Sequence, residues 1–561
     1  MLPTATALAL LATMGSAALL PRDQATHVDL GYFDPSKLSP VVIGGIQKRD
    51  PNAPPTEREL EAFVLGLDER HLRTRAKYSW MLDDERKRSL QKEVDAHQQR
   101  KRNLVNEIML EKRQISGNDT EGGGKDGTSA GDGSGFGNNG NGGTSETELT
   151  NWGGDILYTV PVSIGTPPQN FTTHIDTGSP TLWVYGSKCQ DSVCRGHASY
   201  DEQASSTSQT SGAPFSVTYG KGYVEGGAYN DTVEMGGWKG TQEFGAADYV
   251  KDMSTYALTD AIGLSGWSWQ VPSKPTPFWQ NLCEAGAWNN PMFGLYLARD
   301  TRKTPSMEEE QEDPSNMQGT KPLQSMTNGG RISMNGYDSS LIKGDITWVD
   351  LTSSRQPFWR VPISSLRVEK TSESATHTDL VLDSGTSLVY MPREQFNAFW
   401  NAIPDATRLS SQYRIRSSQT DYPIFPCKYA DKLDIRIGFG GKEFKIYGGD
   451  LIMDSIDGKW CVGSFQDGTG LVDDMQTYQR SAWLAGDAIM KNFYTIHRYD
   501  PPSVGIAELA DGTQSTKADD PAYTGGGTSN DNGGSGKSSG AAATKASAAL
   551  VAAAAVLAAV V

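Results

Sequence analysis

Residues 174–185 read HIDTGSPTLWVY, and residues 381–390 read VLDSGTSLVY. In each an aspartate closes an apolar run, and a glycine two residues on lets the backbone fold back tightly behind it. Taken singly, Asp-x-Gly is common turn chemistry. The pair says more, because two half-domains related by an approximate two-fold would bring the turns together, with the carboxylates within hydrogen-bonding distance. Carboxylates that close cannot both ionise cheaply, so they share a proton; one apparent pKa rises and the other falls. Such a pair holds an acid and a base at once, and can activate a water against a carbonyl without a covalent intermediate.

The sequence around the turns predicts a mostly β unit over residues 150–511. Short runs rich in β-branched and aromatic residues, such as ILYTVPVSIG, NFTTHI, FSVTYG and YNDTVEM, alternate with Gly, Pro and Asn turns. The texture returns in DITWVDL, FWRVPI, SSLRVEK, LDIRIGF and YTIHRYD, interrupted by a short helix at PREQFNAFWNAI with Pro392 at its start. The two turns divide the unit into an N-terminal lobe, 150–345, and a C-terminal lobe, 346–511. Between the halves the stretch TRKTPSMEEEQEDPSNMQGTKPLQSMTNGG has no apolar period and reads as a surface insertion, with Glu308 to Asp313 a possible cleavage loop.

Upstream, residues 19–113 mix charges of both signs and read as helical and solvated. The stretch ends at Lys112-Arg113, and further dibasic pairs stand at Lys48-Arg49 and Arg100-Lys101-Arg102. It is therefore expected to be a propeptide cut by a kexin-like processing protease. Residues 114–149 are read as a linker, because 12 of the 27 residues from 117 to 143 are glycine, too little apolar surface to offset the entropy of ordering. The 561-residue chain opens with MLPTATALALLATMGSAALL, which reads as a signal peptide over 1–18. At the other end a Gly/Ser-rich stalk, 512–540, precedes an apolar tail, 541–561, which is short for a membrane span. That order suits a glycosylphosphatidylinositol (GPI) attachment signal, with Asn532, Ser538, Ser539 and Gly540 as attachment candidates. A secreted, cell-surface or cell-wall location follows, with the plasma membrane a partner through the lipid.

Export permits disulfides. Cys189 and Cys194 bracket a short polar loop, Cys427 and Cys461 flank a strand-like stretch, and Cys283 is left as a buried free thiol. Asn118, Asn170 and Asn230 begin N-x-S/T glycosylation acceptors. The net charge of −16 argues against nucleic acid as a partner. The seven histidines are scattered and no Cys/His group has zinc spacing, so neither metal nor cofactor is expected.

With these residues in place, 150–511 resembles a pepsin-like aspartic endopeptidase of the A1 type. The resemblance implies a bilobal fold with a catalytic cleft, no cofactor, protein or peptide substrates, a monomer, and synthesis as a zymogen active at acidic pH. It implies Asp176 and Asp383 as the catalytic pair, with Gly178 and Gly385 in the turns. Thr177 and Ser384 would cross-bond the two turns, and Ser179 and Thr386 would meet the outer carboxylate oxygens. Tyr219, followed by Gly220 and Lys221 in VTYGKG, corresponds to the flap tyrosine, and Trp183 to the tryptophan that holds its hydroxyl. Ala261-Ile262-Gly263 and Leu484-Ala485-Gly486 match the stretches that back each turn, FGLYL, GYDSSLIKGDITWV and GIAEL match further strands, and both cysteine pairs fall where the family has disulfides. Dibasic processing and the anchor signal narrow the likeness to the fungal yapsin-like group. The rival is an inactive pepsin-fold binding or wall protein; such proteins lose an Asp or the flap, whereas both Asp turns and Tyr219 are present here.

Three features depart from the pattern. His174 stands where the family has an apolar residue and reads either as a satisfied histidine or as lining the primed-side or S1 floor and coupling to the pair's titration. Lys221 at the flap tip reads either as a solvated lysine with no role or as a charge that repels a substrate cation, which would favour apolar or aromatic residues before the scissile bond. Trp267, Trp269 and Trp279 follow the first backing stretch and read as core or as subsite wall.

Overall fold

The computed structural model describes residues 143–513, except 195–196, 219–222, 252–262, 271–273, 301–324, 353–356, 414–420, 457–458 and 473–480, and much of 60–100. The fold is mostly β and bilobal. Both Asp turns sit in the same local topology. The strand Gln169–Asp176 lies between Leu157–Ile164, antiparallel, and Gly263–Gly266, parallel, with Asp176 paired to Gly266. In the second half Thr371–Leu382 lies between Arg360–Val368, antiparallel, and Ser481–Ala485, parallel, with Leu382 paired to Ala485.

After each turn the chain doubles back as a three-residue strand, Trp183–Tyr185 or Val389–Met391, antiparallel to the same backing strand. Each then pairs in parallel with a later strand, Trp238–Lys251 or Phe465–Asp467. The backing strand is thus pressed against the turn's own chain. A Cβ on Gly263 would strike the Trp183 carbonyl, and one on Gly486 the carbonyls of Thr386 and Leu388. Only glycine allows that approach, so the backing stretches end in it.

The halves meet in a thirteen-stranded sheet. Tyr494–Arg498, near the end of the described chain, pairs with Met292–Leu297 from the first half, placing His497 opposite Phe293. Ser503–Leu509 then pairs with Tyr494–Arg498 and with Ile342–Asp350. The boundary drawn at 345/346 therefore falls inside a strand. The second half also holds a seven-stranded sheet carrying Asp383 and a four-stranded sheet of Thr407–Arg408, Pro423–Pro426, Trp460–Gly463 and Ile452–Ser455.

Three expectations need correction. The linker read as 114–149 overruns, because Ser145–Trp152 is a strand paired with Ser325–Met334 on one side and Leu157–Ile164 on the other. Its alternation is too polar to stand out, and its partner arrives about 180 residues later. Residues 325–330, taken as the end of the insertion, belong to that partner. The charged upstream stretch is helical where described but not simply solvated: Leu60, Val64, Leu65, Asp68, Leu72, Leu90, Val94 and His97 are buried.

The helix Arg393–Ala402 starts after Pro392 and buries Phe396, Phe399 and Trp400. Cys189–Cys194 and Cys427–Cys461 are disulfides, with Cα separations of 6.2 and 5.0 Å, and Cys283 is a buried free thiol. The three tryptophans are core. Trp267 and Trp279 are buried, Trp269 half-buried, and the group packs with Phe293, Trp359 and Tyr499 at ring separations of 4.9–6.1 Å. The signal peptide, the attachment tail and Asn118 lie outside the described residues. Asn170 is exposed in its strand and Asn230 half-buried.

Candidate active site

Asp176 and Asp383 stand at the ends of equivalent strands, with 1% and 0% of their surface exposed. Each carboxylate is held by its own turn. The Gly178 N–H donates to Asp176 Oδ1 at 2.8 Å and the Ser179 hydroxyl to Oδ2 at 2.9 Å. In the second turn the Gly385 N–H donates to Asp383 Oδ1 at 3.0 Å and the Thr386 hydroxyl to Oδ2 at 2.5 Å. Donors aimed at both oxygens favour the charged form and fix the plane of each carboxylate.

The turns are also tied to each other. The Thr177 N–H donates to Ser384 Oγ at 3.1 Å, and the Ser384 N–H donates to Thr177 Oγ1 at 2.9 Å. Each hydroxyl then donates across the divide, Thr177 to the Leu382 carbonyl and Ser384 to the Ile175 carbonyl, both at 3.0 Å. Four buried bonds thus close a reciprocal lattice between segments more than 200 residues apart. Its outcome shows in the glycines. A Cβ on Gly178 would overlap the Asp383 carboxylate, and one on Gly385 would overlap that of Asp176. Each carboxylate lies against the other turn.

A family model described as "Eukaryotic aspartyl protease" matches residues 157–326 and 320–509. The chain belongs to the eukaryotic aspartyl protease family. Major aspartyl peptidase 1 of Cryptococcus neoformans var. grubii is 32% identical over 389 residues, 68% of this chain and 74% of the relative. Cathepsin D of Gallus gallus is 29% identical over 364 residues, 63% and 81% of the two chains. The vacuolar aspartic protease of Candida albicans is 28% identical over 370 residues, 65% and 78%. The chain is an aspartic endopeptidase.

The remaining expected residues are placed unevenly. Trp183 is buried in the strand that follows the first turn. Tyr219, Gly220 and Lys221 lie outside the described residues, between the strands Gln209–Thr218 and Tyr223–Met235, which pair as a hairpin. His174 is buried two residues before Asp176, on the same face of the strand, and its carbonyl accepts from the Ser265 hydroxyl at 3.3 Å.

Sequence reasoning missed a buried ionic network that joins the halves. Lys491 lies 2.7 Å from Asp155 and 3.3 Å from Asp450, and Arg299 meets Asp450 at 2.6 Å. Asn492 accepts from Arg299 at 2.8 Å and donates to Asp450 at 2.9 Å. Burial opposes the charge on Asp450, but the Arg299 and Lys491 cations outweigh it and hold the carboxyl below its usual range. Burial, reinforced by Asp155, raises the neighbouring Tyr158 phenol, whose hydroxyl donates to the Ala298 carbonyl at 3.0 Å. The four charged residues are scattered along the chain and form no motif.

Proposed function

We propose that Asp176 and Asp383 are the catalytic pair of an acid endopeptidase made as a zymogen and exported to the cell surface. The observation that carries the reading is the reciprocal lattice of Thr177 and Ser384, which seats each carboxylate against the opposite turn. One shared proton leaves one carboxylate as the base that deprotonates a water and the other as the acid that donates to the peptide carbonyl. On collapse the first carboxylate gives the water's proton to the leaving nitrogen and the second takes back the proton it lent to the carbonyl oxygen, so the amine departs and the shared proton is restored. Tyr219 and its neighbours close over the substrate from the hairpin, Trp183 supports that tyrosine, and His174 lines the floor beside Asp176.

The finer reading is of a monomer of the yapsin-like kind. Residues 1–18 direct export, a kexin-like protease removes 19–113, and a GPI lipid replaces 541–561. Asn118, Asn170 and Asn230 carry glycans, and Lys221 turns the preference toward apolar or aromatic residues before the scissile bond. Cleavage of a denatured protein at acidic pH by the processed enzyme, abolished separately by Asp176→Asn and Asp383→Asn, tests the pair. Full activity in either variant would refute it. Release from intact cells by a phosphatidylinositol-specific phospholipase tests the anchor.

A further inference from the structure

The stretch between the dibasic pairs at 48–49 and 100–102 supplies core to the second half of the molecule. Leu60, Val64, Asp68 and Leu72 recur at four-residue steps, and Arg75 follows on the same side of the helical turn. Leu60 and Val64 are 5% and 2% exposed. They join one apolar cluster with Leu409, Tyr422, Ile424, Ile456 and Val462, residues on or beside the four-stranded sheet.

Polar contacts fix the register of this seat. The Tyr422 hydroxyl donates to the buried Asp68 carboxylate at 3.0 Å, and Arg100 approaches the other oxygen at 3.8 Å. The Arg75 guanidinium covers Gly470, three residues past Phe465–Asp467, the edge strand of the seven-stranded sheet in the same half. The second helical stretch is strapped to the first by the Arg75–Glu93 ion pair and by the cluster of Leu72, Leu90 and Val94. Without residues 60–100, Tyr422, Ile424 and Val462, each now at most 1% exposed, would lose part of their cover. An apolar sheet face with a matching amphipathic helix already on it has its occupant.

We propose that residues 60–100 are a lasting subunit of the mature enzyme: cut from the chain at the dibasic pairs, they stay seated non-covalently on the four-stranded sheet through Leu60, Val64 and Asp68. The inference rests on the processing reading above, but it concerns what happens after the cut. The contacts with Leu409, Tyr422, Ile424, Ile456 and Val462 all fall on the second half, so the seat can persist while inhibition is relieved by a local rearrangement near the cleft.

The test uses the full chain carrying Asp176→Asn, to prevent self-digestion, with a site-specific protease sequence placed within 117–143. After cutting, the two fragments are run on a size-exclusion column at neutral and at mildly acidic pH. The expected result is co-elution of the N-terminal fragment in one-to-one amount at both. Separate elution at the acidic pH would overturn the proposal. Val64→Ala keeps the helix and removes only methyl groups from the cluster, and should speed fragment dissociation about tenfold; an unchanged rate would overturn the assigned seat. The engineered cut does not depend on the native one. Failure of the host to cleave the dibasic pairs would therefore refute the processing reading, whereas loss of the fragment after the engineered cut would refute this one.

Discussion

His497 should limit how acidic a medium this aspartic protease survives. It is 0% exposed in Tyr494–Arg498, stacked on Phe293 at 4.6 Å and edge-on to Trp359 at 4.7 Å. Nε2 lies 3.1 Å from the Thr495 hydroxyl, and Nδ1 has no hydrogen-bond partner among the described residues. Burial lowers the imidazole pKa from its ordinary 6.5 to about 3. The sign follows directly. Below about 6.5 the unfolded chain takes up a proton that the folded one refuses until about pH 3, so stability falls across that window. Each unit is worth about 1.4 kcal/mol, so at about pH 4.5 the loss is about 2–3 kcal/mol.

His497→Phe keeps a ring between Phe293 and Trp359 and removes the titration. The Thr495 hydroxyl still reaches the Leu295 carbonyl at 3.5 Å, so the lost imidazole bond is a cost that does not vary with pH. Thermal unfolding should be followed in an Asp176→Asn background, from about pH 7.5 to about 4.5. Relative to its parent, the variant's Tm should rise by about 5 °C on acidification, at about 2 °C per kcal/mol for a chain of this size. Parallel Tm profiles for the two proteins would refute the reasoning, whatever their offset.

Asp450→Asn leaves Arg299 and Lys491 without the carboxylate they share and should cost about 3–5 kcal/mol, read as a lowered urea midpoint. Lys221→Glu should move cleavage in a peptide library toward Lys and Arg before the scissile bond; a library cut chiefly after those residues by the unaltered enzyme would sink the specificity reading. Cys283, whose thiol burial pushes up to about 12, should resist iodoacetamide in the native protein at neutral pH and react on denaturation, and rapid native labelling would contradict its placement. His174→Val should alter the pH–rate profile, and an unaltered profile would remove His174 from the pair's titration.

What could be read in the sequence was what is local. Each Asp turn carries its own Gly N–H and hydroxyl donors within three residues, so DTGS and DSGT announce the carboxylate cradles directly. The strands beside them are short and apolar, and both disulfides close within one half. What could not be read depends on distant partners. Asp155 and Lys491 are 336 residues apart, and neither has a neighbour that marks it. The strand Ser145–Trp152 is too polar to declare itself before Ser325–Met334 is in view. In the upstream helix the apolar positions Leu60, Val64 and Leu72 are outnumbered by charges, so the stretch reads as solvated until the four-stranded sheet supplies the face that covers it.

The halves are joined by two devices that respond to acid in opposite ways. Asp450 has a carboxyl held below its usual value, so its pairing contributes in full above the ordinary carboxylate range and is lost only as pH falls through the depressed value. Through mildly acidic media, where a shared proton would make the carboxylate pair active, that clamp stays charged. His497 works against it over the same range, because burial favours the neutral imidazole and the folded state loses stability as pH falls below about 6.5. The strand Tyr494–Arg498 follows Lys491 by three residues, so clamp and histidine lie on one short segment. Acid unfolding should therefore begin with separation of Tyr494–Arg498 from Met292–Leu297, and hydrogen exchange during acidification should show these strands losing protection before the seven-stranded sheet that carries Asp383. Earlier loss from that sheet would place the weak point within the lobe and leave His497 a bystander.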